Sequence, residues 1–255
     1  MFRNFVTALQ FLTVFTIKKD HEVREDELAR SMVFFPFIGF LIGVILVYAD
    51  RLLLRLLPDT IANVFLLLIA AMVTRALHID GLADSVDGIM GGRDPQSRLA
   101  IMKDSRIGTA GVLAVFFVLL VRYACLNNLF DEYKAAALLT APAFSRWSQM
   151  LMMFKADYVR PNGMGKAFVG HVRASGIAAA SIITAGLSGF VIYQYDVRTA
   201  VLAVAIPFVV GLFTMAWRWF VVRKTGGVTG DAVGAASEMN EALTLLLFVF
   251  LLPGR

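Results

Sequence analysis

The chain has 255 residues, of which 58% are hydrophobic and 17% are charged, and its mean hydropathy is +0.72. These values lie well outside the averages of soluble domains, so they indicate a membrane protein and exclude a soluble enzyme. The formal net charge of +5 fits ordinary topogenic lysine and arginine as well as attraction of an anionic substrate, and charge alone does not decide between them. The single cysteine, Cys125, excludes a disulfide and a cysteine metal cage.

The first apolar stretch, 5–15, is short for a hydrocarbon core of about 30 Å. Lys18 and Lys19 follow it in place of the small residues of a signal-cleavage site. The stretch therefore predicts an interfacial or re-entrant helix, with an additional span as the alternative.

Longer apolar runs follow and predict about seven transmembrane helices in an all-α, polytopic membrane protein. They cover 32–50, 61–79, 109–126, 135–154, 176–195, 200–222 and 242–253. The sequence shows no soluble-domain linker and no clear internal repeat, so we expect one membrane-embedded domain over 1–255.

Lysine and arginine are concentrated in alternate connections between these runs. An N-terminus in the cytoplasm places most of them inside, as the positive-inside rule requires. The long segments 80–108, 155–175 and 223–241 are then predicted to be cytoplasmic loops. The outer connections are short, so we expect the functional site at the inner face.

Three aspartates, Asp80, Asp84 and Asp87, follow the second run. Their i, i+4, i+7 spacing places them on one face if the segment is helical. Clustered acids beside a span imply compensation by cations or exposure to a polar cavity, and oxygen ligands without cysteine favour Mg²⁺ or Mn²⁺ over Zn²⁺. His78 precedes them as a candidate base or polar anchor. The alternative is an ordinary solvated loop.

A basic segment leads into the third run. Arg98, Lys103, Arg106 and the backbone of Gly108 could bind phosphate through a guanidinium fork, an ammonium group and N–H groups at a helix N-terminus. The alternative is that these basic residues only fix the topology.

The third polar segment, 225–241, is rich in glycine. Gly227, Thr229 and Gly230 permit tight turns and close approach of the backbone to a ligand. Asp231 and Glu238 recur on one helical face. Together with the first acidic face they could bracket two metal ions, as phosphoryl-transfer sites often do. A glycine-rich hinge with solvated acids is the alternative.

At these residues the chain resembles the cobalamin synthase family over nearly its full length. The matching segments are 8–13, 35–39, 78–88, 102–111 and 226–241. The run His-x-Asp-Gly-Leu-Ala-Asp-x-x-Asp-Gly together with Lys-Asp-Ser-Arg-Ile-Gly is highly specific. The chain departs from the family at 14–17, where the Arg-x-Pro that commonly follows Phe-Leu-Thr is absent, which leaves contacts assigned to that stretch in doubt.

The resemblance implies an enzyme of the bacterial or archaeal cytoplasmic (inner) membrane. Its reaction would transfer adenosylcobinamide phosphate from adenosylcobinamide-GDP to α-ribazole or α-ribazole 5′-phosphate, with Mg²⁺ and release of GMP. A ribose hydroxyl of the acceptor would attack phosphorus in line with the departing GMP. No nucleic-acid partner is expected, and a homo-oligomer is one possible assembly.

Roles for the candidate residues follow from this reaction. Mg²⁺ is assigned to Asp80, Asp84 and Asp87, with Asp231 and Glu238 for a second ion. The diphosphate is assigned to Arg98, Lys103 and Arg106, assisted by the backbone around Gly108, Gly227, Thr229 and Gly230. Catalytic roles are assigned to Asp84 and, as proton acceptors, to Asp104 or His78.

Two other classes of protein remain open from the residues alone. Another membrane transferase of diphosphate-linked substrates, of the CDP-alcohol phosphotransferase or prenyltransferase type, also places aspartates at a cytoplasmic membrane mouth. In that class the acids are spaced differently, and no segment like 102–111 accompanies them. A transporter would place its site near the midplane between repeated halves, whereas here the acids gather at one face.

Overall fold

The computed structural model describes residues 1–17, 25–160, 163–194 and 200–252. Within these ranges the regular structure is helical, and the only strand-like feature is an isolated bridge between Tyr158 and Val228. The prediction of an all-α fold is therefore confirmed for the part of the chain that is described.

Most of the helices follow one another with short connections. In chain order they are α1 (Phe2–Leu12), α2 (Glu25–Ser31), α3 (Phe35–Leu53), α4 (Asp59–Val73), α5 (Leu77–Gly91), α6 (Pro95–Ile101), α7 (Thr109–Asn128), α8 (Asp131–Met153), α9 (Ala174–Tyr193), α10 (Ala200–Thr225) and α11 (Gly230–Leu251). Two 3-10 turns, Met32–Phe34 and Met164–Ala167, precede α3 and α9.

Several of these helices are long and apolar enough to cross a membrane. Five described segments qualify, namely Glu27–Leu53, Thr109–Asn128, Ala174–Tyr193, Val201–Thr225 and Gly230–Leu251, and α4 with α5 would make a sixth as one bent span. Helix α8 has 23 residues, or about 35 Å, which is also long enough. Its polar side chains lower its hydropathy, but the neighbouring helices bury most of them. A total of seven spans is consistent with this arrangement.

The predicted span 61–79 differs from the structure. Helix α4 ends at Val73 and α5 turns away from it by 89°. Arg75 and Ala76 at the break have left-handed backbones, with φ of 54° and 50°, which cost about 1–2 kcal/mol per residue. A hydrogen bond offsets part of this conformational cost: the Arg75 guanidinium donates to the carbonyl oxygen of Thr13, at the end of α1, over 2.9 Å. The break is thus held by a contact distant in sequence.

The predicted cytoplasmic loops are also largely helical. Residues 80–108 include most of α5 and all of α6, and residues 230–241 form the first half of α11. The loop prediction is wrong in these parts because charged side chains lower local hydropathy without preventing helix formation. The acidic segments are consequently held on rigid elements.

The N-terminal helix α1 has 11 residues, about 17 Å of helix, which is too short to span the hydrocarbon core. It buries Val6, Ala8 and Leu12 against the bundle, whereas Phe2 at its start is exposed. A short helix that is partly buried and partly exposed agrees with the prediction of an interfacial or re-entrant helix.

Helices α3 and α8 pack closely at the centre of the bundle. Gly39 and Gly43 of α3 form a Gly-x-x-x-Gly pair, and both face the backbone of α8 near Leu138 and Pro142. Proline lacks an N–H group, so Pro142 leaves the Leu138 carbonyl without its intrahelical donor. The glycines permit this close approach, as small residues do at many transmembrane interfaces.

We expect Gly43→Ala to lower the free energy of unfolding by about 1–3 kcal/mol, the usual cost of overpacking. The added Cβ would lie 2.5 Å from the Leu138 carbonyl oxygen, so the backbones must separate. Thermal unfolding in detergent measures the effect. Gly189→Ala is the matched control because a Cβ there meets no atom within 4 Å. Equal stability of the two variants would contradict the close packing.

Candidate active site

A cavity of about 400 Å³ lies between α5, α11, the end of α8 and the segment that follows α8. Its polar side is formed by His78, Asp80, Arg160 and Asp231. The apolar part of its lining includes Phe11, Phe35, Met153, Phe168 and Val169. The cavity can therefore hold a molecule with one apolar and one charged end.

Glycines allow α5 and α11 to bring their acids together. A Cβ on Gly81 would lie 3.0 Å from the Asp231 carbonyl oxygen, and one on Gly234 would lie 3.3 Å from the backbone of His78. Larger side chains at either position would push the helices apart. The close contact explains why Asp80 and Asp231, distant in sequence, line one cavity.

Two carboxylates from two helices, Asp80 and Asp231, line the acidic side of the cavity, and Asp84 lies beside them without lining it. Asp80 is exposed to the cavity, and Asp84 and Asp231 are half-buried. Asp84 is close enough to interact electrostatically with both of the others. Arg160 donates to Asp231 over 2.5 Å and neutralises part of this charge. The predicted convergence of the two acidic faces is present for these three aspartates.

These carboxylates fit Mg²⁺ as an incomplete set of ligands. Among the described residues no group of three or more His, Cys, Asp and Glu side chains is arranged as a metal cage. Mg²⁺ usually binds one or two carboxylates and completes its shell with water and substrate phosphate. Two of these aspartates, such as Asp80 and Asp231, would be enough for the protein part of such a shell.

Asp87, predicted as a metal ligand, has a structural function. Its two carboxylate oxygens accept hydrogen bonds from the N–H groups of Gly108 at 2.7 Å and Gly111 at 2.8 Å, at the N-terminus of α7. These bonds satisfy donors that a helix start leaves free. The same contact engages the Gly108 N–H group that was predicted to bind phosphate. Asp87 and Gly108 therefore stabilise the N-terminus of α7 by pairing with each other.

Glu238, the other predicted ligand of a second ion, lies away from the cavity acids in a buried charge cluster. Its carboxylate is 2.9 Å from the Arg122 guanidinium, and Arg146 lies 2.8 Å from Glu241. Two arginines and two glutamates therefore compensate one another between α7, α8 and α11. This pairing removes Glu238 from the candidate metal ligands.

The basic segment is only partly available for phosphate. Arg98 donates to the carbonyl oxygen of Lys224 over 2.9 Å and so caps the end of α10. Lys103 and Arg106 are exposed, and Arg106 forms an ion pair of 2.6 Å with Asp104. Lys103 and Arg106 remain candidates for the diphosphate, whereas Arg98 is committed to a helix terminus.

The glycine-rich segment mainly shapes the start of α11. Thr229 caps this helix by accepting a hydrogen bond from the Ala232 N–H group at 3.1 Å. Gly227 lies against the backbone of Asp157, since a Cβ there would lie 2.8 Å from the Asp157 carbonyl oxygen. Gly230 lines the cavity, so of these three predicted ligand-binding residues only Gly230 is placed where a ligand can reach it.

His78 is held from within the bundle. Its Nε2 atom lies 3.0 Å from the Gln149 amide nitrogen, which in turn donates to Ser237 over 2.8 Å. Its Nδ1 atom is also enclosed. These contacts favour the anchor interpretation over the proton acceptor.

Asp104 is a poor proton acceptor for a different reason. The hydrogen bonds from the Arg106 side chain and backbone lower the pKa of the Asp104 carboxyl to about 2. A base with such a low pKa gains little from accepting a proton at neutral pH. The structure argues against the catalytic role that the sequence suggested.

We expect Asp104→Asn to reduce turnover by far less than the ~10²–10⁴-fold that a general base contributes. The steady-state rate of product formation at saturating substrate measures this effect. The loss of a hundredfold or more in turnover, with the variant still folded, would restore Asp104 as the base.

The site also contains Arg160, Tyr158 and Gln149, which were not predicted from the sequence. The first two belong to the segment after α8, where the Tyr158 backbone pairs with Val228 next to the start of α11. Burial raises the pKa of the Tyr158 phenol, which stays protonated and can donate a hydrogen bond into the cavity. No local sequence pattern marks these residues, because their position depends on contacts between distant segments.

Comparison with known proteins gives a consistent result over the whole chain. A family model described as cobalamin-5-phosphate synthase matches residues 4–249. A relative from Geotalea daltonii is 38% identical over 98% of both chains. Relatives from Clostridium novyi (34% identical, covering 96% of this chain and 95% of the relative) and Syntrophobacter fumaroxidans (36%, covering 96% and 97%) are similar. All three are described as adenosylcobinamide-GDP ribazoletransferases. No solved structure matches significantly.

Proposed function

The chain belongs to the cobalamin-5-phosphate synthase family, and from this premise we propose that it is an adenosylcobinamide-GDP ribazoletransferase. In this reaction the acceptor, α-ribazole or its 5′-phosphate, attacks the phosphorus that carries cobinamide, and GMP leaves. One observation supports the proposal beyond the relatives: carboxylates from α5 and α11 meet Arg160 at the polar side of a single cavity. This charge pattern suits a metal-assisted transfer of a phosphoryl group.

We further propose that Mg²⁺ binds to Asp80 and Asp231, with Asp84 beside them. The bound ion would neutralise negative charge on the diphosphate. Asp231 would then exchange part of its pairing with Arg160 for the ion, which would leave the Arg160 guanidinium free to donate to a phosphate oxygen. Asp87 and Glu238 are not included, because Asp87 caps α7 and Glu238 pairs with Arg122.

The size of the cavity suggests which substrate enters it. A volume of about 400 Å³ is in the range of small-molecule sites, and a corrinoid is too large for it. The apolar side, with Phe11 and Phe168, suits the benzimidazole ring of α-ribazole. The polar side then faces the ribose hydroxyls.

The donor diphosphate would approach from the exposed basic segment. Arg160 lies 3.5 Å from the Met102 carbonyl oxygen, so it connects the cavity acids to the residues that precede Lys103. Lys103 and Arg106 would bind the GDP side, and Arg160 the phosphorus under attack. The corrin ring would remain outside the cavity.

A general base is expected to contribute little to the rate, because phosphoryl transfer passes through a loose transition state. Asp84 is the proposed acceptor for the hydroxyl proton, since Nε2 of His78 contacts Gln149, Nδ1 of His78 is enclosed, and Asp104 is held by Arg106. We also propose that the protein lies in the cytoplasmic membrane with the cavity open to the cytoplasm, as its basic segments require.

The direct test uses purified protein in detergent with adenosylcobinamide-GDP, α-ribazole and Mg²⁺. We expect GMP to appear in equal amount to the joined corrinoid, and only when both substrates are present. Omission of either substrate, or chelation of the metal with EDTA, should stop the reaction. Turnover of a CDP-alcohol or prenyl diphosphate donor in place of this pair, or corrinoid flux into vesicles without GMP, would contradict the proposal.

A further inference from the structure

A second cavity, of about 450 Å³, shares no lining residue with the first. It is bounded by the start of α1, the end of α2, the 3-10 turn before α3, and the start of α9. None of the residues proposed to bind the substrates lines it. The cavity is therefore a separate site.

The ionisable side chains that line this second cavity are all basic. His171 and Arg173 line it, and none of the described residues in its lining is acidic. The first cavity, by contrast, combines Arg160 with the carboxylates of Asp80 and Asp231. The second cavity therefore favours an anion, whereas the first also favours a cation.

The remaining lining is mostly apolar. Val33, Phe34, Met150 and Val172 form the wall beside the basic residues. A small free anion such as inorganic phosphate would gain nothing from such a wall. A molecule with a phosphate group and a hydrocarbon part would use both sides of the cavity.

The position of the cavity fits the same ligand. Two membrane-spanning segments, Glu27–Leu53 and Ala174–Tyr193, begin beside it. The apolar residues Met1 and Phe2 at the start of α1 are highly exposed there, at 99% and 76%. Basic pockets between transmembrane helices at the cytoplasmic boundary are typical binding sites for anionic lipid headgroups.

We propose that this cavity binds the phosphodiester headgroup of an anionic membrane phospholipid. The phosphate lies beside His171 and Arg173, and the glycerol and acyl chains follow the wall formed by Val33 and Phe34. The bound lipid joins α1 and α2 to α9 and thereby fixes the N-terminal helix, whose Phe11 lines the first cavity.

The test is thermal unfolding of the full-length protein in uncharged detergent during titration with phosphatidylglycerol, with phosphatidylcholine and with inorganic phosphate. We expect phosphatidylglycerol to raise the melting temperature in a saturable manner and the other two to leave it unchanged. Arg173→Gln should raise the half-saturating concentration of phosphatidylglycerol about fivefold, because one basic residue contributes roughly 1 kcal/mol to the binding of an anionic lipid. Arg55→Gln, an exposed arginine beyond the far end of α3, is the matched control and should bind like the original protein.

Three outcomes would overturn the proposal. Equal stabilisation by phosphatidylcholine would remove the role of charge, and stabilisation by inorganic phosphate alone would remove the lipid. Unchanged affinity of Arg173→Gln for phosphatidylglycerol would place the lipid elsewhere. Native mass spectrometry that counts retained phosphatidylglycerol in the same variants gives an independent reading if a variant is less stable for other reasons.

Discussion

Replacement of Asp80 by asparagine should reduce turnover by about 10²–10³-fold, which is the usual loss when one preorganised electrostatic contact to the transition state is removed. Asp80 is exposed to the cavity and its side chain lies on the polar side, where the metal is proposed to bind. The amide keeps the shape of the side chain but removes the charge. The rate of GMP release at saturating donor and acceptor measures the effect, and excess Mg²⁺ should restore part of it.

The control for this substitution is Asp131→Asn, an exposed aspartate at the start of α8. It changes the net charge by the same amount and should keep the original rate. The melting temperatures of both variants should match the unchanged protein. Full Mg²⁺-dependent activity of Asp80→Asn would remove this residue from the metal site.

Replacement of Arg122 by methionine should lower the free energy of unfolding by about 3–5 kcal/mol, as the loss of one partner from a buried ion pair does. Arg122 is buried, pairs with Glu238 at 2.9 Å and also donates to the Glu238 backbone carbonyl at 2.8 Å. The variant leaves Arg146 as the only arginine of the cluster against two glutamates. Thermal or denaturant unfolding in detergent measures the effect.

The double variant Arg122→Met/Glu238→Met tests whether unbalanced charge causes this loss of stability. It leaves Arg146 and Glu241 as a neutral pair, and matched apolar replacement of a buried pair is often tolerated. We expect it to recover a substantial part of the lost stability. A double variant that is less stable than Arg122→Met alone would contradict the view that unbalanced charge causes the loss.

The cluster also explains why the sequence placed the last span too late. Glu238 and Glu241 lower the hydropathy of the first half of α11, so the apolar run begins only at 242. In the structure, arginines from α7 and α8 pair with these acids, and the helix begins at Gly230. Hydropathy along the chain carries no information about pairing between helices. The run 109–126, in which Arg122 is the only charged residue, nevertheless predicted α7 almost to its ends.

The bend between α4 and α5 illustrates the same limit. The apolar run continues through the break, and neither Arg75 nor Ala76 belongs to the residue types that usually adopt left-handed backbones. The geometry depends on a hydrogen bond from Arg75 to the end of α1. This tertiary contact is not visible in the sequence, so the end of the first half of the pair was not predicted.

The candidate site was predictable to the level of residue types and spacing. The i, i+4 spacing correctly placed Asp80 and Asp84 on α5, and Asp231 does face them. The same spacing also selected Asp87, because a carboxylate that caps a neighbouring helix is identical in sequence to one that binds a metal. Arg160 carries no local pattern, and its role depends on the packing of its segment against the start of α11.

The most direct test of the metal site is the binding of Mn²⁺, in place of Mg²⁺, followed by electron paramagnetic resonance in the purified protein. We expect the original protein to bind Mn²⁺, Asp80→Asn and Asp231→Asn to bind it at least about tenfold more weakly, and Glu238→Gln to bind it as the original does. Undiminished binding in the two aspartate variants, or an equal loss in Glu238→Gln, would contradict a site formed by α5 and the start of α11.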